Sequence, residues 1–154
     1  MLIKALLALL AFVFWANFAF SAQDNYSVIA KEYFVMKSVK VDTNPPRGCR
    51  PASSCFKVAC DLMDKFECDD QNEQANIQHA CRAVWGGECI TNATQILHRF
   101  EYDSNEEMTQ LVLSCRGVYD LDCVNYSCQR LGKFGCDTLE ELVQVNAACA
   151  SAEF

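Results

Sequence analysis

"HRFEYDSNEE", residues 98–107, has two counterparts in the same chain: "DKFECDDQNE" from Asp64 and "GKFGCDTLEE" from Gly132. Each carries a basic residue, a Phe and, three residues after the Phe, an Asp. Phe66, Phe100 and Phe134 lie 34 residues apart, and Asp69, Asp103 and Asp137 keep that step. So do Cys55, Cys89 and Cys123, and Cys81, Cys115 and Cys149. "CRAVWGGEC" (81–89) returns as "CRGVYDLDC" (115–123). A register held through three copies without insertion is the mark of a helix–turn–helix unit that stacks on its neighbours.

Local chemistry places the helices. Asp70, Ser104 and Thr138 share one register, each followed three residues later by Glu73, Glu107 or Glu141. That spacing is a capping box, in which a side-chain oxygen takes an orphan amide and the Glu reaches back. A second helix is therefore expected to start near residues 71, 105 and 139. Ile77/Leu111/Val145, Ala80/Ser114/Ala148 and Val84/Val118/Ala152 form its inner stripe, and Gly86 is placed to stop its first copy. The first helix of each unit starts at Cys55, Cys89 or Cys123. Its apolar positions are Phe56/Ile90/Val124, Ala59/Ala93/Ser127, Met63/Leu97/Leu131 and the recurring Phe, with Lys65, Arg99 and Lys133 in its last turn. The expected fold is all-α: three stacked 34-residue hairpin repeats (55–88, 89–122, 123–154) forming a short disulfide-bridged solenoid.

Ahead of the repeats, "MLIKALLALLAFVFWANFAFSAQ" has a basic start, an apolar run and a small-residue cleavage site, which reads as a signal peptide over 1–22. Residues 23–54 make an N-terminal segment, read as a helix or arm from Asp24 to Val41, then a linker containing Pro45, Pro46 and Pro51. "VMKSVKV" within that arm also suits a strand. The chain is then secreted or periplasmic, with no stable membrane insertion after cleavage. Its net charge of −7 excludes a nucleic-acid backbone as partner.

Eleven cysteines in an exported chain read as a disulfide framework. The middle repeat lacks two cysteines together, with Thr94 and Tyr102 in their places. Joint loss is what a bonded pair would do, so Cys60–Cys68 and Cys128–Cys136 are paired. The remaining cysteines admit two maps. The preferred one bridges neighbouring repeats, Cys49–Cys55, Cys81–Cys89 and Cys115–Cys123. It leaves Cys149 as an unpaired thiol at an end-to-end contact, in a homodimer through the C-terminal helix or with a partner protein, or else as a buried free cysteine. The competing map pairs Cys55–Cys81, Cys89–Cys115 and Cys123–Cys149 and leaves Cys49 over.

This hairpin array, with a cysteine late in one helix and another eight positions on opening the next, resembles secreted, disulfide-bridged proteins of the tetratricopeptide-like repeat superfamily. Ala59, Ala93 and Ser127 match that superfamily's small position. The resemblance covers about residues 49–154 and implies an α-superhelical scaffold that binds proteins or peptides in a groove.

Chemistry is sparse. His79 and His98 do not recur by register, and no nucleophile or base is spaced to serve them. Cys60-x₇-Cys68 is too wide for a redox or zinc Cys-x-x-Cys. No catalytic residue, metal or cofactor is expected. Trp85 and Tyr119 share one register and are either exposed binding anchors or packing over a disulfide. Asn25, Asn92 and Asn125 open glycan acceptor triplets. The leading expectation is a non-enzymatic protein- or peptide-binding module; the alternative is a carrier of a small apolar ligand held between helices.

Overall fold

The computed structural model describes residues 25–37, 52–63, 66–132 and 134–151. The signal peptide expected over 1–22, most of the linker, Cys49 and Ala152 lie outside them. The described residues form seven α-helices and no strand: α1 (25–37), α2 (Ala52–Leu62), α3 (Gln71–Ala80), α4 (Glu88–Ile96), α5 (Asn105–Ser114), α6 (Leu121–Leu131) and α7 (Leu139–Ser151). The arm is thus helical from residue 25 and helical still at Val35-Met36-Lys37, where a strand was the alternative.

Helices α2/α3, α4/α5 and α6/α7 pack as hairpins, and α3, α5 and α7 stack as a layer, with α2 against α4 beside it. The second helices begin at the expected positions because the capping boxes form. Asp70 accepts from the Glu73 amide at 2.9 Å while the Glu73 carboxylate accepts from the Asp70 amide, and Ser104/Glu107 and Thr138/Glu141 repeat the exchange. The core is the two facing stripes. Ile77, Leu111 and Val145 are fully buried on one side, and Ala59, Ile90, Ala93, Val124 and Ser127 on the other.

Three bridges, Cys55–Cys81, Cys89–Cys115 and Cys123–Cys149, close the hairpins at Cα–Cα distances of 5.8, 5.8 and 5.9 Å. This corrects the preferred map, and Cys149 is not a free thiol. In an antiparallel pair, positions equidistant from the turn face each other, so a cysteine opening the first helix meets one closing the second. Cys60–Cys68 and Cys128–Cys136 brace the turns of the outer hairpins. In the middle hairpin Tyr102 is buried, filling the position that a cysteine holds in the other two.

Three further expectations are corrected. The recurring Phe is not on the inner stripe: Phe66, Phe100 and Phe134 are 72%, 82% and 70% exposed. The first helices end at Leu62, Ile96 and Leu131, so the helix stops before the Phe. At Leu97 and His98 the backbone is extended (ψ 150° at both), and Arg99 falls in a separate 3₁₀ turn, not in a last helical turn. Gly86 does not cap α3, which ends at Ala80 and tightens into a 3₁₀ turn over Cys81–Ala83. Its φ of 115° serves the loop into α4.

Helix α1 packs antiparallel along α6. Tyr33 donates to Asp120 at 3.1 Å, Lys37 pairs with Asp120 and Asp122 at 3.3 Å, and Arg130 pairs with Glu32 at 3.4 Å. The Tyr33 and Tyr126 rings meet at 5.4 Å, and Ala30 is fully buried. The N-terminal helix therefore covers the last hairpin.

Candidate functional site

The amino-terminal halves of α2 and α4 and the start of α6 enclose a groove of about 300 Å³. Gly87 makes it possible. A Cβ there would lie 2.5 Å from Val58 Cγ2, so only glycine lets the start of α4 approach α2 this closely. Ser54, Val58, Thr91, Asn92, Gln95 and Leu121 line the groove. Asn92 donates to Asn125 at 3.1 Å, linking α4 to α6 along one wall, and Thr91 donates to the Gly87 carbonyl at 3.0 Å. The lining offers amides, hydroxyls and the Glu88 carboxylate beside two aliphatic side chains. It can hydrogen-bond a peptide backbone and seat an apolar side chain.

A second groove of about 530 Å³ lies between the starts of α5 and α7. Leu139 and Val143 contribute its apolar wall, and Glu106, Glu140, Gln110 and Gln144 its polar one. Both grooves are open to solvent.

Trp85 and Tyr119 come together. Their rings meet edge to face at 5.7 Å, with Trp85 half-buried and Tyr119 47% exposed. Each supports the other across the junction of two repeats. His79 and His98 are both exposed, on different elements. Among the described residues no group of three His, Cys, Asp or Glu side chains is placed to hold a metal ion. The glycan acceptor Asn25 is exposed at the start of α1, whereas Asn92 and Asn125 sit inside helices and engage each other.

Sequence reasoning missed the links between repeats. The Glu67 carboxylate accepts from the Asn105 amide at the start of α5, and Glu101 does the same for Leu139 at the start of α7, both at 2.9 Å. The third copy of that register is Gly135, which carries no carboxylate. The pattern Glu, Glu, Gly was the available signal. Arg116 adds a second link, donating to the His79 and Ala80 carbonyls at the end of α3.

Three groups along α1 hold their protons more tightly than usual. Burial raises the Tyr33 and Tyr26 phenols, the latter also beside the Glu141 and Glu140 carboxylates. The hydrogen bond to Tyr33, followed by those to Asp120 and Asp122, raises Lys37. These shifts mark α1 as a docked element and place no reactive group in either groove.

Among the described residues no helix is long and apolar enough to cross a membrane, and five disulfides belong with an oxidising environment. No family model, curated protein or solved structure matches the chain.

Proposed function

We propose that this chain is an exported, disulfide-braced helical-repeat module of the tetratricopeptide-like kind. It binds a protein or peptide in the groove across α2, α4 and α6 and catalyses no reaction. The observation that carries this reading is the groove itself, a solvent-open channel built from three successive first helices and lined by amides, hydroxyls, one carboxylate and aliphatic side chains. Such a lining suits an extended segment that needs backbone hydrogen bonds and one or two apolar contacts. A carrier of small apolar ligands requires an enclosed apolar cavity, and the open groove favours the peptide reading over it. Cleavage after residue 22 and release from the cell belong to the same proposal.

The test is affinity capture from the fluid into which the protein is exported, with wild type and a Gln95→Trp variant that fills the groove from an exposed position. A partner held by wild type and lost by the variant supports the reading. A partner held equally by both removes the groove from consideration.

A further inference from the structure

We infer that the edge formed by the three turns inside the hairpins is a docking surface for a cationic polypeptide carrying apolar side chains. The argument begins with Phe66, Phe100 and Phe134. Residues such as Ile77, Leu111 and Val145 recur because they are buried alike in each repeat. The three Phe recur at the same interval while 72%, 82% and 70% exposed, so core packing does not account for them. Exposed apolar groups gathered along one side of a soluble protein mark an interaction surface.

The turns share one edge. The Asn105 amide bonds Glu67 of the first turn, and the Leu139 amide bonds Glu101 of the second, so each turn abuts the start of the next second helix. The groove between α5 and α7 opens at this end of the stack, adding the half-buried Val143 to the apolar surface.

Charge selects the partner. The three stretches through these turns, 64–73, 98–107 and 132–141, hold twelve acidic against three basic residues, a net charge of −9. The whole chain carries −7, so the remainder is +2 and the acidic excess of the sequence lies in these three stretches. Asp69, Glu106 and Glu140 are exposed there, and none of them serves as a helix cap. Anionic lipid, nucleic acid or the same edge of a second copy would be repelled. A segment with Lys or Arg between apolar residues would meet carboxylates and ring faces together, and a cation over a Phe ring adds attraction of its own.

The test uses the oxidised, exported protein and a synthetic peptide of alternating Lys and Leu, followed by fluorescence anisotropy. Alternating Glu and Leu, and vesicles of phosphatidylglycerol, serve as competing probes. The Lys/Leu peptide is expected to bind, more weakly as salt is raised. The Phe66→Ser/Phe100→Ser/Phe134→Ser variant should bind it at least about ten-fold more weakly with unchanged helicity. The Asp69→Asn/Glu106→Gln/Glu140→Gln variant should lose affinity and salt dependence together. Gln95→Trp, which tests the groove across α2, α4 and α6, should leave this binding unaltered. The inference is overturned if the Lys/Leu peptide fails to bind, if the Phe variant binds it as well as wild type, or if Gln95→Trp alone abolishes binding. Preference for the Glu/Leu peptide or the vesicles also overturns it.

Discussion

Glu67 and Glu101 each join one hairpin to the next through a single carboxylate on the first amide of the following second helix. That amide has no partner within its own helix, so its bond to a carboxylate does the work of an N-cap across a repeat boundary. Replacing Glu101 by Ala should lower stability by about 1–2 kcal/mol, as loss of a helix cap does. Urea denaturation would read this as a lower midpoint with an unchanged slope. Glu106→Ala, an exposed position one turn away, should shift the midpoint little. A midpoint unmoved by Glu101→Ala would mean that the amide is served equally well by water. Gly135→Glu should lower stability, because a Cβ there would lie 2.1 Å from the Leu131 Cβ.

The hairpin was legible at its second helix and misleading at its first. Asp70, Ser104 and Thr138 with their glutamates announce a helix start through local bonds, which a sequence displays. The end of the first helix is decided where Leu97 and His98 leave helical geometry, although the apolar pattern continues unbroken to the Phe. The bridge map was ambiguous because parity permits both pairings, and only the antiparallel docking of two helices separates them. The Gly87 groove was unreadable for a related reason: its need for glycine arises from Val58, a residue on another helix. The middle hairpin offers a prediction at this scale. In the outer hairpins the turn cysteines bond at Cα–Cα distances of 5.6 and 5.5 Å. Thr94→Cys with Tyr102→Cys should therefore form a bridge, found by non-reducing peptide mapping. The closed loop contributes about 2.5 kcal/mol in the chain-entropy model, offset by loss of the buried Tyr102 ring, so the melting temperature should move little. Two thiols that remain free would show that the middle turn follows a different path.

Across the whole molecule the decisive contact is that of α1 with α6, between residues 83 to 98 positions apart, and nothing local in the sequence points to it. Tyr26, Tyr33 and Lys37 all have folded pKa values above their ordinary 10.0, 10.0 and 10.5. Groups raised in this direction contribute stability that is complete below the unfolded value and declines as pH rises through the folded one. The docking of α1 should hold at neutral pH and weaken as pH rises into the alkaline range, read by tyrosinate absorbance together with protease access to 25–37. Protection of 25–37 that persists unchanged after the tyrosines have ionised would contradict the assignment. Cysteine bookkeeping gives a second whole-molecule prediction. Ten of the eleven cysteines are bonded to one another, so thiol labelling of the unfolded, unreduced protein should give one equivalent, abolished by Cys49→Ser. A mixed disulfide at Cys49 would instead appear as a mass increase or a covalent dimer lost in the same variant.

The placement of α1 also fixes an order of events during biosynthesis. The helix emerges among the first residues of the chain, yet its seat is Asp120, Asp122, Tyr126 and Arg130, made near the end. Each hairpin can close its own bridge as soon as its second helix is made, since 26 positions separate the two cysteines. Docking of α1 must wait for α6, so it reports that the chain has been made at least through Arg130. Trapping thiols at intervals during synthesis should find Cys55–Cys81 formed while residues 25–37 are still open to protease. A chain truncated before Leu121 should never acquire that protection.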